Sequence, residues 1–339
     1  MMRSAGLEGE DGAARAARHG LAVLPLAELF GLLRVVGPDA SSFLQRLLTA
    51  DVRSLRPGEA APAALLTPKG KVITPLTVLC DAEDFRLLVP AEGASRLEGA
   101  LGRYAVMDRV EVRSEAADVV GLYGPEVERA RSLLGLPEPL PPYTHRASLL
   151  GEAAVTVLGD DQLAAPGWLV LGRPGSLAGL LEHFTAGGAV LGDAATFETC
   201  RIEAGTPRLG AELSEEVLLL EAGQLGAVSF TKGCYVGQEP ICRVKSRGEV
   251  AHRLVGLRGS GERLPEPGEV LATALRPDAG RVTSSSWSPE CGAVVALGYL
   301  HRSCADPGTQ VLLAGGGALE VVALPHVPCA SPPRVCPAF

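Results

Sequence analysis

From residue 253 onward every helical signal disappears, and six short apolar runs, at 254–257, 270–272, 280–284, 294–299, 311–313 and 319–322, follow one another between glycine and proline turns. Runs this short cannot bury themselves singly, and strands at this spacing close most readily into a small antiparallel barrel. A C-terminal β-barrel domain over 249–325 is the expectation. The residues before it must then fold as something else.

That upstream region mixes both kinds of element. A strand at 32–36 leads to Pro38-Asp39, where Asp39 is placed to cap an amphipathic helix with Phe43, Leu44, Leu47 and Leu48 on one face. Apolar runs at 63–66 and 72–80 flank TPKGK, a hairpin signal, and Pro75 within the second run favours a sheet edge or a bulge. Further strands are expected at 85–89, 119–123, 153–158 and 168–171. Helices are expected at 95–104, at 125–135 with proline first and glycine last, at 177–184, and from the cap Asp193 to Gly205. Four prolines at 137–142 read as a linker. Alternation without βαβ regularity predicts α+β packing, and 339 residues exceed what one core serves.

Composition narrows the function. No window approaches twenty uninterrupted apolar residues, so no membrane span is expected. The segment 1–22 carries Glu8, Glu10 and Asp11 where a leader would need an apolar or acid-free stretch, and reads as a disordered extension; 326–339, rich in proline, reads as a disordered tail. Eight cysteines are scattered with no CxxC pair, and the histidines show no ligand spacing, so no metal site is expected and a reducing, cytoplasmic setting is. A net charge of -8 and a pI near 5.4 argue against direct nucleic-acid binding.

Against that acidic background the segment 230–248, FTKGCYVGQEPICRVKSRG, is net +3, with Lys232, Arg243, Lys245 and Arg247 outweighing Glu239. A helix should start near Gly237, with Pro240 in its first turn. Cys234 then precedes a helix N-terminus, where free N–H groups, the macrodipole and Lys232 favour a thiolate while Glu239 opposes it. The expectation is a thiol more acidic than the usual value of about 8.5. Gly233 and Gly237 would let a ligand approach the main chain. A buried, inert thiol is the plain alternative, and it is the natural reading of Cys242.

KGCYVGQE with the preceding FT and the later RG, together with LLTPKGKV at 65–72, RIEAGTPRLGAEL at 201–213, GRVTSSSWSP at 280–289 and ALGYL at 296–300, resembles the YgfZ family, folate-binding proteins related to the glycine cleavage T protein and involved in iron–sulfur enzyme maturation and tRNA modification. The resemblance implies an α+β, three-domain, T-protein-like ring around a central folate channel, with 23–248 forming two intertwined α+β domains. It implies tetrahydrofolate or a one-carbon derivative as cofactor, and iron–sulfur assembly proteins or client enzymes as transient partners. By the same resemblance Glu203 would contact the pterin, with Arg201, Gly233, Tyr235, Gly237, Gln238 and Arg243 as further folate contacts. Cys234 would be the reactive thiol, assisted by Lys232.

T proteins that transfer a methylene group place an acid on the strand after the first hairpin, and here that strand offers Thr74 and Pro75. Neither exchanges a proton near neutral pH, so aminomethyl transfer is not expected. The rival readings are that transferase and a non-catalytic scaffold presenting a cluster through Cys234. Lys71 and Trp287 are minor candidates for the folate tail and the channel wall.

Overall fold

The computed structural model describes residues 7–248, 250–261 and 263–328. Within the stretch expected to be disordered, α1 (Leu7–His19) is a helix, and strand β1 (Ala22–Pro25) begins at the last residue of that stretch. Ala13, Ala14 and Ala17 of α1 are buried. Small side chains make a face that carries little hydrophobic signal in the sequence, yet lets a helix pack closely.

Strands β2 (Phe30–Val36), β3 (Ala60–Leu66), β4 (Val72–Cys80), β5 (Phe85–Pro90) and β6 (Glu111–Glu115) form an antiparallel sheet in the order β3-β4-β5-β2-β6. Helices α2 (Ala40–Leu47) and α3 (Ala91–Tyr104) cover one face through Phe43, Leu44, Leu97 and Leu101. Asp39 precedes α2 but makes no capping bond; its carboxylate takes the main chain and guanidinium of Arg109 instead. Pro75 lies in an interior strand, but β5 pairs with β4 only from Thr77 onward, so the proline occupies a local edge.

The second sheet contains β1, β7 (Asp118–Tyr123), β8 (His145–Leu150), β9 (Ala153–Asp160), β10 (Gly167–Gly172) and β11 (Val190–Leu191) in the order β11-β1-β7-β10-β9-β8. β8 was hidden by its mostly exposed, polar face. The helix expected at 125–135 is a 3₁₀ turn (Val127–Arg129) followed by a single turn, α4 (Ala130–Leu133). With α5 (Ala178–Ala186) these cover the outer face around Trp168 and Val170. Leu32, Leu79, Leu88, Leu158 and Leu169 share the core between the two sheets.

Helix α6 (Ala194–Ala204) follows the expected plan: Asp193 and Thr196 form a reciprocal capping box, and Gly205 closes the helix at φ 77°. After an irregular stretch comes α7 (Gln238–Arg247), whose N-cap Gly237 sits at φ 80°. The six expected C-terminal strands are all present as β12 (His252–Gly259), β13 (Val270–Ala272), β14 (Gly280–Ser288), β15 (Ala293–His301), β16 (Gln310–Leu313) and β17 (Ala318–Val322), closed into a barrel. His326 and Val327, placed in the disordered tail by composition, are buried. Cys329, Cys336 and the rest of that tail lie outside the described residues. No helix among the described residues is long and apolar enough to cross a membrane.

Candidate functional site: an acidic cavity and a separate cysteine loop

The chain passes from the second sheet to the first through 26–29, and around this crossing a cavity of about 280 Å³ opens. Pro62 and Ala63 of β3, Pro75 and Thr77 of β4 and Leu88 of β5 form one wall; Leu169 of β10 and Asp160, at the end of β9, form another. Helix α6 and the segment after it close the cavity with Phe197, Glu198, Arg201, Arg208 and Leu209. The charged lining comprises the carboxylates Glu28, Glu92, Asp160 and Glu198 and the guanidinium groups Arg201 and Arg208. Its volume is at the small end of ligand pockets, which run from about 300 to 1,000 Å³.

The two helix-borne charges of this wall are tied together. Arg201, 1% exposed, donates from Nε to Glu198 at 2.8 Å, from Nη1 to Glu212 at 2.8 Å and to the Thr206 carbonyl at 3.2 Å, and from Nη2 to Ser284 at 2.6 Å and again to Glu198. Ser284 in turn donates a hydrogen bond to Glu212 at 2.6 Å. Every donor of the fork is thus used within the protein, and Arg201 latches α6 to strand β14 of the barrel. Burial pushes the Glu198 carboxyl up, but hydrogen bonds and charge from Arg201, with the charge of Arg208, outweigh it and hold the group below its ordinary range.

Asp160 has no such partner. It is 8% exposed, and its acceptor sites are held by neutral donors: Tyr123 Oη at 2.7 Å and the Gln162 main chain at 3.2 Å on Oδ2, and the Gln162 side chain at 3.1 Å on Oδ1. Burial, then the charge of Asp161, push this carboxyl up to about 7.

Of the residues expected to hold the ligand, Arg201 alone is in the cavity wall. Glu203 is 0% exposed, accepts two bonds from Arg18 of α1, at 3.1 and 2.8 Å, and one from Ser288 of β14 at 2.6 Å. It joins the N-terminal helix to the barrel. The reason is helical: at about 100° per residue, Glu198 and Arg201 share one face of α6 and Glu203, two residues beyond Arg201, points about 200° away. That spacing was visible in the sequence and identifies Glu198 as the acid on the side of Arg201.

The KGCYVGQE segment lies outside the cavity wall. Lys232 reaches under α2, where its ammonium donates to the carbonyls of Gln45, Leu48 and Ala50 at 2.6, 2.6 and 2.7 Å. Burial pushes this ammonium down to about 8, opposed by the charge of Asp51. The lysine is an anchor for the loop rather than a cation beside the thiol. Tyr235 is buried in the packing of this segment, Arg243 pairs with Glu239 at 2.7 Å, and Gln238 opens α7. Gly237 approaches the first hairpin: an added Cβ would fall 2.6 Å from the Thr67 carbonyl, and one on Gly70 would fall 3.0 Å from Pro240. Its freedom serves contact between two motifs, not access for a ligand. Gly233 faces open space, and Cys234 beside it is exposed, three residues before the N-cap of α7. Cys242 is half-buried rather than core. Lys71 donates to the Glu216 carbonyl at 2.7 Å, and Trp287 is exposed on the barrel.

Two sheets, a capping barrel and a cavity at the crossing between them define the architecture of the glycine cleavage T-protein class. Residues 11–232 match the family described as GCVT N-terminal domain, and 252–327 match the glycine cleavage T-protein C-terminal barrel domain. The chain belongs to this family. Aminomethyltransferase T of Bartonella henselae superposes with a TM-score of 0.84 over 94% of this chain and 89% of that one, at 22% identity. Among curated relatives, an aminomethyltransferase of Rubrobacter xylanophilus is 32% identical over 82% of this chain and 75% of its own length. The tRNA-modifying protein YgfZ of Edwardsiella ictaluri is 30% identical over 89% of this chain and 85% of its own. The YgfZ resemblance read from the motifs is therefore matched by named relatives.

Proposed function

We propose that this protein binds a tetrahydrofolate-class cofactor in the cavity and supports, through Cys234, the assembly or repair of iron–sulfur clusters on which tRNA-modifying and other client enzymes depend. The observation that carries the binding half is the lining: apolar walls from Leu88, Leu169 and Phe197 suit a flat ring system, and the carboxylates Asp160 and Glu198 suit an edge rich in N–H donors. When bound, such a cofactor would supply one-carbon or redox chemistry at its reduced ring. The protein's own residues enclose it, accept its N–H groups and exclude water.

Aminomethyl transfer is the second reading, since relatives carry that name. The β4 wall speaks against it. Pro75 and Thr77 face the cavity, and Thr74 points to the other side, where its hydroxyl would lie 2.5 Å from a Cβ added to Gly93 of α3. No carboxylate of β4 borders the cavity to support a reacting nitrogen. Anaerobic isothermal titration with tetrahydrofolate tests the binding reading: saturable binding by the wild type and at least tenfold weaker binding by Glu198→Gln are expected. Wild-type protein that gives no saturable heat would remove the cofactor from the account. Turnover of a methylamine-loaded lipoyl carrier would favour the transferase.

A further inference from the structure

We propose that Asp160 is the group that orients the ligand's heterocyclic head, its Oδ1 accepting an N–H from a cyclic amidine edge such as that of a 2-aminopyrimidin-4-one, while Tyr123 and Gln162 hold the carboxylate from behind. The inference rests on the pterin reading of the cavity and deepens it by naming a recognition residue that neither motif nor family signature singles out.

Three observations converge. The first is steric. The Tyr123 ring lies where side chains on two neighbouring positions would be: a Cβ on Gly167 would fall 2.2 Å from the ring, and one on Gly121 2.6 Å from it. Two glycines on adjacent strands β7 and β10 therefore clear the space in which the phenol reaches Asp160 of β9. The second is the acceptor count. A carboxylate offers about four lone-pair directions; Oδ2 accepts two bonds and Oδ1 one, which leaves a direction open on an atom of a cavity-lining residue.

The third is charge. No cation among the described residues pairs with Asp160, because Arg201 is committed to Glu198 and Glu212, and Arg208 to Glu92 and Glu198. A buried carboxylate with neutral holders gains most from a donor that arrives with the ligand. The titratable and charged groups around it are Asp161 and Tyr123 next to it, and Glu28, Glu92, Glu198, Arg201 and Arg208 elsewhere on the cavity lining. Its hydrogen bonds from Tyr123 and Gln162 oppose the rise caused by burial and Asp161.

The ionised form accepts an N–H more strongly than the neutral acid does, so binding below neutral pH should expel a proton. With the free carboxyl at about 7, the affinity of the wild type for tetrahydrofolate or 6-methyltetrahydropterin should rise about tenfold between pH 6 and pH 8. Titrations at pH 6 in two buffers of different ionisation enthalpy should show proton release. Asp160→Asn should bind at least tenfold more weakly at pH 8 with a flat profile, which also controls for titration of the ligand itself. Tyr123→Phe, which keeps the carboxylate but removes a donor that favours ionisation, should move the midpoint upward. Wild-type affinity that is flat with pH and releases no proton, or an Asp160→Asn profile that keeps the wild-type slope, overturns this inference alone. A wild type that binds no pterin overturns it together with the reading it rests on.

Discussion

In the cavity, charge is hidden and only partly balanced, whereas in the cysteine loop Arg243 is displayed at the surface and the buried Lys232 ammonium is spent on main-chain carbonyls. Arg201 and Glu198 neutralise one wall and Asp160 stands uncompensated on the other. Cys234 is exposed, and Lys232 beneath it is consumed by the end of α2. An unpaired buried carboxylate suits holding a donor-rich ligand. An exposed thiol on a clamped loop suits meeting another macromolecule. The two tasks proposed for the protein therefore fall to different places, and the variants below test whether they can be separated.

The largest effect should come from Arg201→Ala. Removing the guanidinium leaves Glu212, 0% exposed, without its cation and releases Glu198, so a buried charge is stranded between α6 and the barrel. Breaking such a pair by deleting one partner costs about 3–5 kcal/mol. Equilibrium denaturation should show that loss, with cavity binding lost alongside it. A loss below about 1 kcal/mol, the range of surface pairs, would mean the latch is not what joins these parts.

A smaller effect is expected for Lys232→Ala. Three carbonyls at the end of α2 lose their donor, a cost of about 1–3 kcal/mol for buried groups left unmade. Hydrogen exchange should rise in 230–237 and at the end of α2, while pterin affinity changes less than twofold. If affinity falls in step with loop protection, cavity and loop are one unit and the comparison fails.

The outlines of this division were legible in the sequence, but not its centre. The barrel strands and both caps of α6 could be read because each depends on residues close in sequence: alternating apolar side chains, Asp193 with Thr196, Gly205 at its turn. The cavity could not, since Pro62, Asp160 and Leu209 meet only through packing of separate elements. Asp160 carries no motif at all. Conversely the loudest local signal, a lysine two residues before a cysteine, suggested an activated thiol, and only the fold reveals that the lysine is turned inward. Helix α1 leaves little hydrophobic pattern in the sequence because it packs through Ala13, Ala14 and Ala17.

The smallest change in stability, within about 0.5 kcal/mol, should accompany Cys234→Ser, because the side chain is exposed. Its value lies in what else stays constant. Pterin affinity should be unchanged, whereas support of cluster-dependent enzymes in cells should be lost if the thiol reacts. Accessibility can be checked without cells. Under brief alkylation and peptide mapping of the native protein, Cys234 should label first among the described cysteines, with half-buried Cys242 and Cys291 behind it and buried Cys80 and Cys304 later. Cys200 should label last, since burial pushes its thiol up to about 12 and leaves almost no thiolate. A Cys234 that labels no faster than Cys200 would show the loop to be closed over its sulfur, and the contrast between a hidden binding wall and a presented thiol would not survive.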